Sequence, residues 1–249
     1  MNENYVDFYK ECEEFTNLFK ILEETIRKKC HAEGIKTDYI NLDTQIEELS
    51  NKNSVVKRYK DELSKLRKIR NLNAHPQSSI YGYAVCPNPY INDRLKNIIE
   101  EINNPPKVYD KLCIKKSNMY IKKINDFVEP TIKDMIKNIY THIPILDEND
   151  RLVGVFSENT LLDIVNQNAG IIVDENTKFS DIEKFLQIDK HSTEEFIFIS
   201  KEKNIYDIED IFKDYFIRKK RIGCVYITEK GKSNESIIGM LTAWDVLGK

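Results

Sequence analysis

In the first thirty residues the apolar positions Tyr5, Phe8, Cys12, Phe15, Phe19, Leu22 and Ile26 recur at alternating steps of three and four. That spacing is the seam of a long amphipathic helix. Leu18 and Ile21 widen the seam into a face, which predicts packing within a helical domain and leaves a second subunit as a further cover. Thr37 or Asp38 can open a short helix through Ile46. A longer helix from about Ser54 carries Val56, Tyr59, Leu63 and Leu66 on one stripe before Pro76 stops it. A third amphipathic stretch, Ile91, Leu95, Ile98, Ile99 and Ile102, ends at Asn103-Asn104-Pro105-Pro106, the best domain boundary in the chain.

Beyond Pro106 short β-type runs alternate with helical ones. Ile143 to Leu146 and Leu152 to Phe156 read as strands joined by the polar turn Asp147-Glu148-Asn149-Asp150, and Thr160 to Val165 opens a helix. The order then recurs: strand Phe196 to Ile199, helix Ile205 to Phe216, strands Cys224 to Ile227 and Ile237 to Leu241, helix Trp244 to Leu247. A duplicated unit of roughly 60 residues predicts two similar subdomains packed together.

Composition narrows the classes. The chain has 249 residues, 41% hydrophobic and 32% charged, with 11 Phe and 13 Tyr but only 8 Gly and 7 Pro, so it is neither disordered nor low-complexity. With 38 Lys+Arg against 41 Asp+Glu the net charge is -3, so nucleic acid could be drawn only by a local patch. The start MNENYVDFYKECEE lacks the pattern of a secretory signal and no run is long and apolar enough to span a bilayer, which predicts a cytoplasmic protein with no membrane partner. Five scattered cysteines without a CxxC pair point to reduced thiols, with no disulfide framework and no metal site.

Two segments carry a resemblance. HIPILDENDRLVGVFSENTLLDIV (His142 to Val165) and IGCVYITEKGKSNESIIGMLTAWDVL (Ile222 to Leu247) are similar to the second halves of two CBS motifs, β-α-β-β-α modules that work in pairs and bind adenine nucleotides. The ligand signature of that family is Gly, two apolar residues, Thr or Ser, two variable residues, Asp. Gly239-Met240-Leu241-Thr242-Ala243-Trp244-Asp245 matches it in full. In Gly154-Val155-Phe156-Ser157-Glu158-Asn159-Thr160 a Thr stands in place of the Asp, which removes the carboxylate from that ribose site. By the resemblance Asp245 would accept hydrogen bonds from ribose hydroxyls and Thr242 would contact phosphate, with Ser157 and Thr160 as their counterparts. Ile143, Pro144 and Ile222 lie where the base would sit. Arg221, at the end of the run Arg218 to Arg221, is a candidate for the phosphate, although cations there also complement a helix C-terminus. A plainer reading remains open, in which Thr242 caps a helix and Asp245 is a favourable first-turn acid. His142 reads equally as packing or as a ligand-lining residue, and Trp244 and Tyr226 read as core or interface aromatics.

The N-terminal part has its own oddity. At about 100° per residue Arg70 falls on the apolar stripe with Tyr59, Leu63 and Leu66, where a buried unpaired cation is expensive. It therefore meets a partner or faces a cleft or interface. Arg70-Asn71-x-x-Ala74-His75 resembles the R-x4-H motif of HEPN domains, all-helical modules, some of which cleave RNA without metal in a composite site of two protomers. The resemblance implies catalytic roles for Arg70, Asn71 and His75. The chemistry is consistent: a His with an ordinary pKa near 6.5 exchanges a proton with a ribose 2′-OH, and an Arg stabilises charge growing on phosphate. Between Lys57 and Arg70 seven basic residues outnumber two acidic ones, a local strip that could neutralise RNA phosphate.

The fold class expected is therefore α+β multidomain, an all-α HEPN-like bundle over residues 1–106 followed by a CBS pair over 107–168 and 169–249. Two functions fit. One is a dimeric, metal-independent endoribonuclease regulated by AMP, ADP or ATP on the CBS pair. The other is a non-enzymatic nucleotide sensor whose helical domain dimerises or engages a partner. In both, the homodimer would use the helical domain and the CBS pair.

Overall fold

A computed structural model describes residues 3–73, 82–85, 87–166 and 173–247. The chain divides into two compact units, Met1–Pro106 and Lys107–Lys249.

The first unit holds four helices among the described residues, α1 (Glu3–Ala32), α2 (Leu42–Ser50), α3 (Ser54–Leu72) and α4 (Pro89–Asn103). The seam of α1 is buried within this unit: Cys12, Phe15, Phe19, Leu22 and Ile26 are inaccessible, α4 packs along α1, and of the two face-widening residues Ile21 stays exposed. The second helix starts later than the Thr37 or Asp38 of the sequence reading. Tyr39 takes a left-handed φ of 67°, which no helix continues through, and the Asn41 side chain then accepts the Thr44 N–H as an N-cap. Asn53 caps α3 in the same way through the Val56 N–H.

The basic strip on α3 is less positive in space than in sequence. Lys60 pairs with Glu47 and Arg67 with Asp43, both acids on α2, and Arg70 pairs with Glu23 of α1. The N–H at Nε of Arg67 is nevertheless buried without a hydrogen-bond partner.

The second unit contains α5 (Val108–Lys111), β1 (Ile114–Lys115), β2 (Lys122–Lys123), α6 (Val128–Asn138), β3 (His142–Leu146), β4 (Leu152–Ser157), α7 (Glu158–Asn166), β5 (Glu195–Ser200), α8 (Ile205–Ile217), β6 (Ile222–Thr228), β7 (Gly239–Leu241) and α9 (Ala243–Leu247). Among the described residues two sheets form, one ordered β2-β3-β4 and one ordered β1-β7-β6-β5. In each, the first strand of a repeat runs parallel to the second across a helix (β2-α6-β3 and β5-α8-β6), and the second pairs antiparallel with the third, which leads into a short helix. The β-α-β-β-α order thus occurs twice. The leading strand and helix of the first copy, β2 and α6, escaped the sequence reading, although Val128, Thr131 and Met135 fall on one buried helical face.

Within residues 107–249 chain order and sheet membership interleave. Residues before the first copy join the second sheet: Val108 is buried in the second core and β1 pairs with β7 through Ile114 opposite Met240. Residues after α7 return to the first core, where Phe179, Ile182, Phe185 and Leu186 pack on Val128, Ile143, Ile145, Phe156 and Ile164. The signature glycines permit both closures. A Cβ on Gly154 would stand 2.5 Å from the Leu186 carbonyl oxygen, and one on Gly239 3.1 Å from that of Ile114. The two modules share a third core of Leu146 and Val155 with Cys224, Tyr226, Ile237 and Met240. Burial pushes the Cys224 thiol far above its ordinary pKa and makes it inert.

Candidate functional site

The signature of the second copy sits where β7 ends and α9 begins. Asp245 Oδ2 accepts from both the Thr242 backbone N–H, at 2.7 Å, and the Thr242 hydroxyl, at 3.0 Å. The motif thus closes on itself as a helix cap, which leaves Asp245 Oδ1 outside this pair of bonds.

Beside it lies a cleft of about 780 Å³, a size suited to a small organic ligand. Three of the residues singled out in the sequence meet there, Arg221, Ile222 and Thr242. Thr141 and His142 bring the first module to the same cavity, and α8 and α9 add Phe212, Tyr215, Phe216 and Trp244. Trp244 is 84% exposed, so it is a cleft wall and not a core residue, whereas Tyr226 is fully buried. Asp245 is not part of the lining.

Charges around the cleft are mostly committed. Lys220 is paired with Glu195, whose second oxygen accepts the Tyr215 hydroxyl at 3.0 Å. The Lys220 ammonium, first, and the Tyr215 hydroxyl hold the Glu195 carboxyl below its ordinary pKa. Lys213 lies 3.8 Å from Glu209 across one helical turn. Arg221 has no ion-pair partner among the described residues. Among the described residues no cluster of three or more His, Cys, Asp or Glu could hold a metal ion, and no helix is long and apolar enough to cross a membrane.

The signature of the first copy is closed. Ser157 is 1% exposed and Thr160 inaccessible, and both Ile143 and Pro144 are buried in β3. Thr160 does for Ser157 what Asp245 does for Thr242: its hydroxyl oxygen accepts the Ser157 N–H at 2.9 Å. The Ser157 hydroxyl in turn donates to Glu194 Oε1 at 2.9 Å. Glu194 Oε2 takes a 2.9 Å hydrogen bond from His142 Nε2, and His191 Nδ1 stands 3.5 Å from Oε1. The Glu194 side chain has no exposed surface. Burial alone would raise its carboxyl pKa, but the two imidazoles and the Ser157 hydroxyl outweigh it and hold the group well below the ordinary carboxylate range. An ionised carboxylate only accepts, so the proton of this contact is assigned to His142 Nε2. On its other side His142 Nδ1 meets the Thr141 hydroxyl at 2.8 Å. Gly223 makes room for the cluster: a Cβ there would stand 3.0 Å from His142 Nε2 and 3.2 Å from Glu194 Oε2.

Glu194, His191 and Thr141 were invisible as site residues in the sequence. Glu194 stands one residue before a strand beside a second glutamate, a setting normal for a solvated turn, and only the fold turns its side chain inward.

In the helical unit Arg70 has found its partners. Its guanidinium lies 3.2 Å from Glu23, donates to Asn71 Oδ1 at 3.4 Å and stands 5.9 Å from the centre of the Phe19 ring, with 39% of the side chain still exposed. His75 lies outside the described residues, so the pairing of Arg70 with His75 has no geometry to report.

The CBS domain family profile matches residues 124–167, which hold α6, β3, β4 and α7. No curated protein sequence matches the chain. Solved structures similar to it include CBSX2 in complex with AMP, at 21% identity and a TM-score of 0.41, covering 57% of this chain and 94% of that one. Another is the CBS domain pair of MJ0100 in complex with 5′-methylthioadenosine and S-adenosyl-L-methionine, at 18% identity and a TM-score of 0.40, covering 58% and 94%. A third is a putative acetoin utilization protein (AcuB) from Vibrio cholerae, at 17% identity and a TM-score of 0.40, covering 57% and 87%. The family match thus supports a CBS domain in the first module, and the same order of elements recurs over residues 195–247.

Proposed function

We propose that residues 107–249 are a sensing pair that binds one of the adenine nucleotides AMP, ADP or ATP in the cleft beside Thr242. The observation that carries this reading is the convergence of Arg221, Ile222 and Thr242 on one cavity walled by aromatic rings. Apolar and aromatic walls suit a purine face. Arg221, which has no ion-pair partner among the described residues, suits a phosphate, and a hydroxyl at the end of β7 suits a polar group between them. Asp245 holds Thr242 through Oδ2, so Oδ1 is the oxygen that would accept from a ribose hydroxyl. Calorimetric titration of the full chain with AMP, ADP and ATP tests the proposal. Thr242→Val should weaken binding about tenfold to a hundredfold, the effect of losing a hydrogen-bonding partner worth ~1.5–3 kcal/mol. Binding of no nucleotide, or unchanged binding by the variant, would overturn it.

The output proposed for this sensor is a metal-independent, homodimeric endoribonuclease of the HEPN type with Arg70, Asn71 and His75 in its active centre. Support comes from Arg70, held at the surface by an ion pair of a kind worth little, so that it can exchange Glu23 for an RNA phosphate. The alternative output is a helical unit that only dimerises or engages a partner. RNA cleavage by the wild type, Arg70→Ala and His75→Ala, with and without nucleotide, separates them. A nuclease should lose on the order of 10²–10⁴-fold in either variant. Cleavage that ignores both residues, or none at all, leaves the non-enzymatic sensor.

A further inference from the structure

We infer that Glu194 acts as an internal ligand for the first signature, so that each chain binds a single nucleotide, at the Thr242 cleft. The inference rests on the nucleotide reading of that cleft and goes beyond it by assigning the state of the other copy. Three observations carry it. The hydroxyl that a ligand would meet in the first copy, that of Ser157, already donates to Glu194 at 2.9 Å. The position that supplies a carboxylate in the second copy is Thr160 here, and its oxygen is spent on the Ser157 N–H. Both residues and the Glu194 carboxylate are closed to solvent.

A carboxylate is the simplest anion a hydroxyl and an imidazole can hold, and this one is tethered to the same chain. Its effective concentration is that of an intramolecular group, which a free nucleotide at cellular concentration does not displace. Displacement would also leave a negative charge buried without its partners, or require its transfer to water together with a rearrangement of His142 and His191. The same carboxylate fixes His142, a wall of the open cleft, from behind. The closing of one copy therefore helps to shape the other.

The test is a calorimetric stoichiometry on the full chain with AMP. The wild type should bind one equivalent. Ser157→Ala should still bind one with its affinity changed less than twofold, and Thr242→Val should weaken that one site about tenfold to a hundredfold. Two equivalents in the wild type, or residual binding in Thr242→Val that disappears when Ser157→Ala is added, would overturn the inference and leave the nucleotide reading standing. One equivalent that is lost in Ser157→Ala and kept in Thr242→Val would show that the open copy is the first, and would overturn it too. No binding by any of the three proteins removes the nucleotide reading and the inference with it. The wild-type stoichiometry needs no variant to fold.

Discussion

The two modules of the second unit share a frame and differ in what fills it. Each has the β-α-β-β-α order, a signature glycine pressed against a neighbouring carbonyl and a hydroxyl residue whose backbone N–H is capped by the side chain three residues on. In the second, Thr242 opens onto a cleft. In the first, Ser157 is sealed under Glu194. The residue that separates them lies outside both signatures, in the segment before β5. The lesson is that matching a motif defines a backbone geometry, while vacancy is decided by side chains arriving from elsewhere.

The comparison breaks most directly at Glu194. Glu194→Ala should cost about 3–5 kcal/mol of stability, because the His142 and Ser157 polar groups lose their common acceptor inside a closed site. Urea denaturation of the variant measures it, and a change below 1 kcal/mol, the size of a surface ion pair, would show that the cluster is slack.

The same group should leave a signature in pH. Its folded-state pKa lies below the unfolded value, so its contribution is fully present above the unfolded pKa and is lost as pH falls toward the folded one. Stability should accordingly decline from about pH 5 downward. Glu194→Gln, though less stable at pH 7, should decline less steeply; equal slopes in urea midpoints between pH 7 and pH 3.5 would remove Glu194 as the cause.

A crossover between the copies sharpens the contrast. Asp245→Ala should weaken nucleotide binding about tenfold to a hundredfold and cost about 1 kcal/mol of stability through the lost cap on Thr242. Thr160→Ala should leave affinity unchanged and cost about 1–2 kcal/mol in stability through the lost cap on Ser157. Parallel calorimetry and thermal unfolding give both numbers for both variants, and equal losses of affinity would erase the distinction. The smallest effect is expected at Lys220. Its pair with Glu195 is on the surface, so Lys220→Ala should leave the thermal midpoint almost unchanged, and salt should reduce the difference further.

Much of the frame was legible in local pattern. The seam of α1, the stripe of α3, the break at Asn103 to Pro106 and the strands around the two signatures all follow from side-chain periodicity and from residues that stop helices, which are properties of neighbours in sequence. Where local signals were weak the pattern was not legible: β2 is two residues long, and the apolar face of α6 is interrupted by Thr131. The start of α2 moved to Leu42 because an Asn cap beyond Tyr39 outweighs the apolar pattern.

By itself the sequence determined the kind of elements, their order, the duplication and the identity of Thr242, Ile222 and Arg221 as candidates, because each element and each motif depends on near neighbours in the chain and the duplication is the recurrence of such local patterns. Only the tertiary structure decided which module each edge segment joins, which cations of the basic strip are neutralised and which signature is open. Those outcomes depend on contacts between residues far apart in the chain: Glu194 with Ser157 and His142, Arg70 with Glu23, Ile114 with Met240. A buried carboxylate and a solvated one look the same in sequence. They differ in whether the fold removes water from around them and supplies hydrogen-bond donors in its place.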